Sequence, residues 1–277
     1  GCHVRYACTH FEQACGNCPI VKQPGPHDLS HHIWNSKKQA YAGLELQVIA
    51  PSEWMAQSAK KSALFAKSPI HTIPNTLNTQ VFAPSDKVLA REKLGLPANA
   101  FLILSGFMPS ANDKHKGADL LVDALGIFGQ NNEAELVVFG NRAAGDLPDF
   151  KFKTTFLGTI TEEEKLALCY AAADVFVTPS IEDNLPNTVL ESLACGTPVV
   201  AFTTGGIPDM VKHQQNGYLA KDASPKELAK GLVWVKNHAD KAALSEAARL
   251  TVLNTFSETV VAQQHIQFYQ SILHSRA

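Results

Sequence analysis

The segment SGFMPSANDKHKG (105–117) places Lys114 and Lys116 just ahead of Gly117, where a helical pattern opens. A lysine there joins a point charge to the free N–H groups of a helix start, a combination that holds phosphate. The competing reading of the loop is a solvated charged turn. A second segment, PSIEDNLPNTVLESLACGTPVVAF (179–202), carries Asp183 in a turn and Glu191 on the apolar helix that follows. Two carboxylates placed this way can face one crevice, Asp183 near its mouth and Glu191 deeper. A carboxylate accepting paired hydrogen bonds is the usual partner of a ribose diol. Asn184, Asn187 and Thr188 add polar side chains at that helix start, where the helix dipole favours an anion such as a diphosphate. Asp183 and Asn187 read equally well as helix caps. Glu191, set among Val189, Leu190, Leu193 and Ala194, is harder to explain that way.

Two further segments end strands with polar or glycine-rich residues. In FLGTITEEEK (156–165), Gly158 and Thr159 can present backbone groups to a base; in TTGGIPDMV (203–211), Gly205 and Gly206 allow close backbone approach before a helix. No Ser-His-Asp order, HExxH pair, P-loop or GxGxxG fingerprint occurs, and the 11 histidines are scattered apart from a group before residue 33. Cys2, Cys8, Cys15 and Cys18 form a C-x5-C-x6-C-x2-C cluster with His3 and His10 interleaved. Three readings of it compete: a structural zinc site built on the CxxC pair, a disulfide or redox pair, and reduced, partly packed thiols. Cys169 and Cys195 lie alone in apolar helical runs and read as buried small hydrophobes.

The elements that must position these residues follow from hydropathy. Short β-branched runs, LQVIA, IHTIP, FLILSG, ELVVFG, KTTFLG, DVFVTP and PVVAF, alternate from residue 46 onward with helical stretches. The runs are apolar at successive residues, the pattern of parallel strands buried on both faces. Strand–helix–strand alternation predicts right-handed crossovers and an α/β fold with a doubly wound parallel sheet. In such sheets ligands bind beyond the carboxyl ends of the strands. Thr161 with Glu164 predicts a capping box, Ser224-Pro225 a helix start, and Gly196 a helix end. The stretch 74–87 has two prolines, two asparagines and no helical period, and predicts an interdomain linker. Residues 256–273 predict an amphipathic helix.

Composition excludes several function classes. Of 277 residues, 45% are apolar and 18% charged, ordinary for a globular enzyme and too apolar for disorder. Twenty-four basic against 26 acidic residues give a net charge of −2, so no global basic field exists to hold nucleic acid. No apolar run approaches the ~20 residues that span a bilayer, and the N-terminus lacks a signal-peptide h-region. The expectation is a soluble, cytoplasmic protein with at most peripheral membrane association.

The stretch from Phe101 to Cys195 resembles the C-terminal half of the retaining glycosyltransferases of family four. The likeness is carried by Lys116-Gly117, by Pro179-Ser180, by Asp183 followed after seven residues by Glu191, and by the ACGTPVV segment at 194–200. The DNLPNT, CGNCP and APSEW segments further resemble bacterial polysaccharide-assembly members, and the likeness covers most of residues 1–273. It implies a GT-B fold of two Rossmann-like domains: a partial N-terminal, acceptor-side domain at 1–80 with a Cys-rich start, and a complete donor-binding domain at 81–255. A C-terminal helix at 256–277 is expected to pack back toward the first domain.

The roles implied by the resemblance are these. Glu191 accepts hydrogen bonds from the ribose of a nucleotide sugar. Lys116, with Lys114, binds the diphosphate, which the Asn187–Thr188 helix start caps. Gly140, Gly158, Thr159 and Ile160 lie against the base, with Gly106, Asn184 and Leu185 also on the donor. Asp183 stands beside the hexose near the anomeric centre and, with Lys116, carries catalysis. The resemblance further implies a hexose moving from a UDP-glucose-like donor to a polysaccharide or lipid-linked saccharide acceptor; no DxD-like pair stands at a strand end, so no required cofactor or divalent ion is expected. The sequence departs from the family pattern in three places: Asp183 is one methylene shorter than the usual Glu, Phe107 stands where an Arg is usual, and the glycine-rich loop of the first domain is absent. The expectation is a chain that begins partway through such an enzyme and is inactive by itself. A sugar-nucleotide epimerase of the same fold, or a non-catalytic sugar-nucleotide or glycan-binding module, are the alternatives.

Overall fold

The computed structural model describes residues 8–106, 116–129, 134–140 and 149–274. Its chain divides into two compact units, Gly1–Pro74 and Asn75–Ala277.

In the second unit the apolar runs form strands β3 (Phe101–Gly106), β4 (Ala134–Phe139), β5 (Thr154–Gly158), β6 (Val175–Thr178) and β7 (Val199–Phe202), joined by β8 (Gly217–Ala220). They form one parallel six-stranded sheet in the order β5-β4-β3-β6-β7-β8. Successive side chains of a strand face opposite ways, and both faces are buried here. Leu102, Leu104, Phe176, Val199 and Ala201 belong to one core, while Ile103, Val175, Val177, Val200 and Phe202 belong to the other. The first core packs against α3 (Lys87–Leu94), α5 (Glu163–Ala172), α6 (Asn187–Ala194) and α9 (Lys241–Thr255). The second is covered by α4 (Ala118–Phe128) and α8 (Pro225–Lys236). The remaining helices of this unit are α7 (Ile207–Met210) and α10 (Glu258–His274). Strand order runs outward in both directions from the β3–β6 pair, so the topological switch point lies between the carboxyl ends of these two strands.

The first unit pairs β1 (Val48–Ala50) with β2 (Ile70–Thr72) in parallel, and carries α1 (Leu29–Tyr41) and α2 (Glu53–Lys61). Side-chain caps set several helix starts. Asp28, Ser52, Asp86 and Asp240 each accept from a backbone N–H of the first turn.

The helix start at Ser224-Pro225 forms as expected, with the Ser224 hydroxyl accepting from the Glu227 N–H, and Gly196 ends α6 at φ +77°. One local expectation is corrected. The N-cap of α5 is Glu162, without a side-chain cap bond, so the Thr161 capping box does not form. The boundary between the two units falls at Pro74–Asn75, where the stretch 74–87 begins, and the rest of that stretch packs on the second unit. Leu77 and Phe82 are buried, the Leu77 N–H donates to the Phe256 carbonyl at 3.0 Å, and Arg249 clamps the carbonyls of Thr79, Phe82 and Ala194 at 2.7–2.9 Å. Prolines and asparagines make this segment irregular in the sequence, but burial of its two large apolar residues ties it to the second unit's core. Among the described residues no helix is long and apolar enough to cross a membrane.

Candidate functional site

The carboxyl ends of the parallel strands of the second unit lie at one edge of the sheet, and most of the sequence-predicted donor residues stand there. Gly106 ends β3, and a side chain at that position would strike the Phe139 ring at the end of β4. Across the switch point, β6 leads into Pro179. The helix start at Gly117 adopts φ +65° and is packed so closely that a Cβ there would fall inside the Pro179 carbonyl oxygen. Only glycine allows α4 to begin this near β6, and that approach carries Lys116 to the loop after β6. The Lys116 ammonium reaches the Asp183 carboxylate at 2.9 Å. The lysine side chain is 46% exposed and the aspartate 20%. Ion pairs this exposed contribute at most about 1 kcal/mol, so an incoming anion can take the ammonium over at small cost. Lys114 lies outside the described residues.

Asp183 is braced from the next loop. The Gly206 N–H donates to the Asn184 carbonyl at 2.7 Å, and the Thr204 hydroxyl donates to the Ile181 carbonyl at 2.7 Å. Gly205, at φ +53°, lies directly against the Asp183 backbone oxygen. Gly205→Ala therefore meets both a left-handed backbone penalty of about 1–2 kcal/mol and a clash that displaces the Asp183 turn. Denaturant unfolding is expected to show a loss of roughly 2 kcal/mol or more; a variant as stable as the parent would disprove this bracing.

Helix α6 begins after Pro186, its N-cap, with no side-chain cap bond. Neither Asp183 nor Asn187 caps it, which removes the capping explanation for both residues. Asn187 is exposed, Thr188 half-buried, and Leu185 buried in the core beneath the turn. The first N–H groups of an α-helix have no partner within it, and α6 and α4 both start here without a side-chain cap. On the next turn, Glu191 is half-buried and its Oε2 accepts from the Tyr170 hydroxyl at 2.8 Å. Burial raises its carboxyl above the ordinary value, the Tyr170 bond opposes that, and the Glu163 charge adds to it. Sequence reasoning missed Tyr170, because a tyrosine inside LALCYAAA carries the signal of a core residue.

At the outer strands the Gly140 N–H donates to the Gly158 carbonyl at 2.8 Å and the Thr159 hydroxyl donates to the Gly140 carbonyl at 3.4 Å. Gly140 and Gly158 have φ of +127° and +71°, and Ile160 packs half-buried against the core. These residues form one polar-backbone rim with an apolar floor, a surface suited to a planar ring.

Among the described residues no group of three or more His, Cys, Asp or Glu side chains is arranged to hold an ion, and Cys8 and Cys18 are free thiols. Cys2 and His3 lie outside the described residues. The CGNCP loop is instead organised by Asp28, whose carboxylate accepts from the Ser30 hydroxyl at 2.6 Å, the Ser30 N–H at 2.9 Å and the Cys18 N–H at 2.8 Å. Those bonds, the Ser30 hydroxyl foremost, hold the Asp28 carboxyl well below the usual carboxylate range. The three thiols line an apolar cavity of about 420 Å³ inside the first unit, with Phe11, Trp34 and Phe65 among its walls. Cys169 and Cys195 are buried as expected, their thiols pushed up to about 11 and about 12 by burial.

Residues 102–238 match the model of the family described as glycosyl transferases group 1. A D-inositol 3-phosphate glycosyltransferase of Catenulispora acidiphila is 29% identical over 237 residues, covering 76% of this chain and 53% of that protein. The chain spans about half the length of such curated relatives. Among solved structures, the sucrose-phosphate synthase of Thermosynechococcus elongatus aligns with a TM-score of 0.72 at 25% identity, over 96% of this chain and 66% of that one. Anabaena HepE in complex with UDP-glucose aligns with a TM-score of 0.69 at 20% identity, over 87% of this chain and 67% of that one. Likeness at this level shows the fold, the α/β GT-B type with Rossmann-like sheets. The residues that build the switch-point site, Gly106 to Gly206, thus all lie in the segment that is similar to the group 1 glycosyltransferase family.

Proposed function

We propose that the second unit binds the donor of a retaining glycosyltransferase, a UDP-type nucleotide sugar. The protein would move its hexose, glucose or a close relative, to a saccharide acceptor such as a polysaccharide or lipid-linked glycan. The observation that carries this reading is the Lys116–Asp183 pair, 2.9 Å apart at the switch point and beside two helix starts that carry no side-chain cap. The binding of UDP-glucose by a protein of the same fold supports the choice of donor.

The chemistry follows from charge. In retaining transfer, positive charge develops on the sugar ring while negative charge builds on the departing diphosphate. Lys116 and the N–H groups of α4 and α6 stabilise that diphosphate. When Lys116 turns to phosphate, Asp183 is released as an acceptor beside the sugar. Glu191 takes the ribose hydroxyls, and the Gly140–Gly158 rim with Thr159 and Ile160 takes the base. Gly106, Asn184 and Leu185 shape the wall of the site.

Lys116→Ala tests the assignment by separating phosphate from nucleoside. Loss of a charge-assisted contact costs about 1.5–3 kcal/mol, so UDP and UDP-glucose affinity is expected to fall roughly 10- to 150-fold. Uridine affinity should change by less than about two-fold on the same grounds. Titration calorimetry with the three ligands decides the point, and equal losses for all three would assign Lys116 a structural role instead.

A further inference from the structure

Glu191 is held by a side chain that itself has no freedom to turn. Tyr170, near the end of α5, is fully buried. Its ring meets Phe139 of β4 edge-on at 5.8 Å between centroids and Phe176 of β6 at 5.5 Å. Its backbone carbonyl accepts from the Thr197 hydroxyl at 2.7 Å. Phe139 in turn lies under Gly106 at the switch point. Contacts thus run from the end of β3 through Phe139 and Tyr170 to the Glu191 carboxylate, where the Tyr170 hydroxyl donates to Oε2 at 2.8 Å. A free glutamate side chain loses rotamer entropy when it is ordered. A fixed hydroxyl on one carboxylate oxygen removes much of that cost before any ligand arrives and leaves Oε1 to be presented outward.

We infer that Tyr170 is a positioning residue for nucleoside binding: its hydroxyl holds one oxygen of Glu191 so that the other is presented to the ribose diol. This rests on the reading of Glu191 as the ribose acceptor. Tyr170 touches no ligand atom and acts only through Glu191. The charged and titratable groups around the pair are Glu163 and Cys169 on α5, Cys195 at the C-cap of α6, and Arg249 of α9 against Cys195. The ribose hydroxyls donate, so binding needs the ionised carboxylate and weakens as pH falls through the Glu191 pKa. Removing the Tyr170 hydroxyl deletes an interaction that favours the ionised form, which moves this acidic edge to higher pH.

The test is uridine binding by the full chain from pH 5 to pH 9, for the parent, Tyr170→Phe and Glu191→Gln. Tyr170→Phe keeps the ring packing and is expected to weaken uridine about ten-fold at neutral pH, to shift the acidic edge upward, and to leave pyrophosphate binding unchanged. Incorporation of 3,5-difluorotyrosine at position 170 keeps the bond with a stronger donor and should shift the edge downward. This second substitution serves if Tyr170→Phe does not fold. Parental uridine affinity with an unmoved edge, in whichever substituted protein folds, overturns the inference. Parental uridine affinity in Glu191→Gln overturns the ribose reading itself, a result distinct from failure of the Tyr170 substitutions alone.

Discussion

Glu191→Ala is expected to lower UDP affinity by about two orders of magnitude or more while the protein still folds. The loss follows from the proposed pair of hydrogen bonds to one ribose diol. Each bond to a charged acceptor contributes about 1.5–3 kcal/mol, so two together exceed the ~2.7 kcal/mol that a hundred-fold change requires. Folding survives because the carboxylate is not a stabilising feature. Its burial raises its pKa, which means the ionised form is disfavoured in the folded state, and alanine is the better helix former. The cost is the Tyr170 hydroxyl left without its acceptor, about 1–3 kcal/mol. Calorimetry with UDP, alongside a thermal melt, checks both halves of the expectation. Unchanged UDP affinity in a folded variant would remove Glu191 from the site.

Arg91→Met carries the largest expected effect on stability. Arg91 is 5% exposed on α3, and its guanidinium donates to the carbonyls of Ala172, Ala98 and Ala100 and to the Asp174 carboxylate at 2.8 Å. Asp174 also accepts from the Leu102 N–H at 2.8 Å and pairs with Lys87 at 2.9 Å. One side chain therefore ties α3, the end of α5 and the start of β3 together. Removing one partner of a buried pair costs about 3–5 kcal/mol. Lys87 stays on Asp174, which is 25% exposed, so the lower end of that range applies. A loss of about 3 kcal/mol corresponds to a fall of roughly 10 °C in Tm for a unit of this size. A Tm within about 2 °C of the parent would show that the three carbonyls and the carboxylate find other partners.

The sheet was legible because its strands are buried on both faces. FLIL of FLILSG and VFV of DVFVTP are apolar at successive residues, the pattern of a doubly covered parallel strand. Elements that bury little were illegible. In α1 the sequence LSHHIWNSKKQAY buries Trp34 alone, so it shows no apolar stripe, and its start depends on Asp28, whose partners at Cys18 and Gly25 lie upstream in the chain. The four residues of β8 follow a turn and are too few to show a period. Helix α9 buries only Leu244, Ala248 and Val252, and with Ala242, Ala243 and Leu250 exposed it shows little contrast between its faces. At the site, Lys116, Asp183 and Glu191 stood out as charges in the wrong surroundings, a lysine at a helix start and a carboxylate on an apolar helix.

What the sequence determined by itself is the series of doubly buried strands, several of the helices between them, and the charged groups carried at their ends. Periodicity and punctuation are local properties, written in neighbouring residues. The tertiary structure decided which of those groups meet. Asp183 reaches Lys116 because glycine at 117 lets α4 start against Pro179, and it is held there because glycine at 205 accepts the Asp183 carbonyl. Tyr170 became a partner of Glu191 only once β4 and β6 closed on its ring. Likewise the segment after Pro74 became part of a core only through Arg249 and Phe256, far along the chain. Such contacts join residues separated by tens to well over a hundred positions, and their energy depends on distances of a few tenths of an ångström, which no local pattern of residue types encodes.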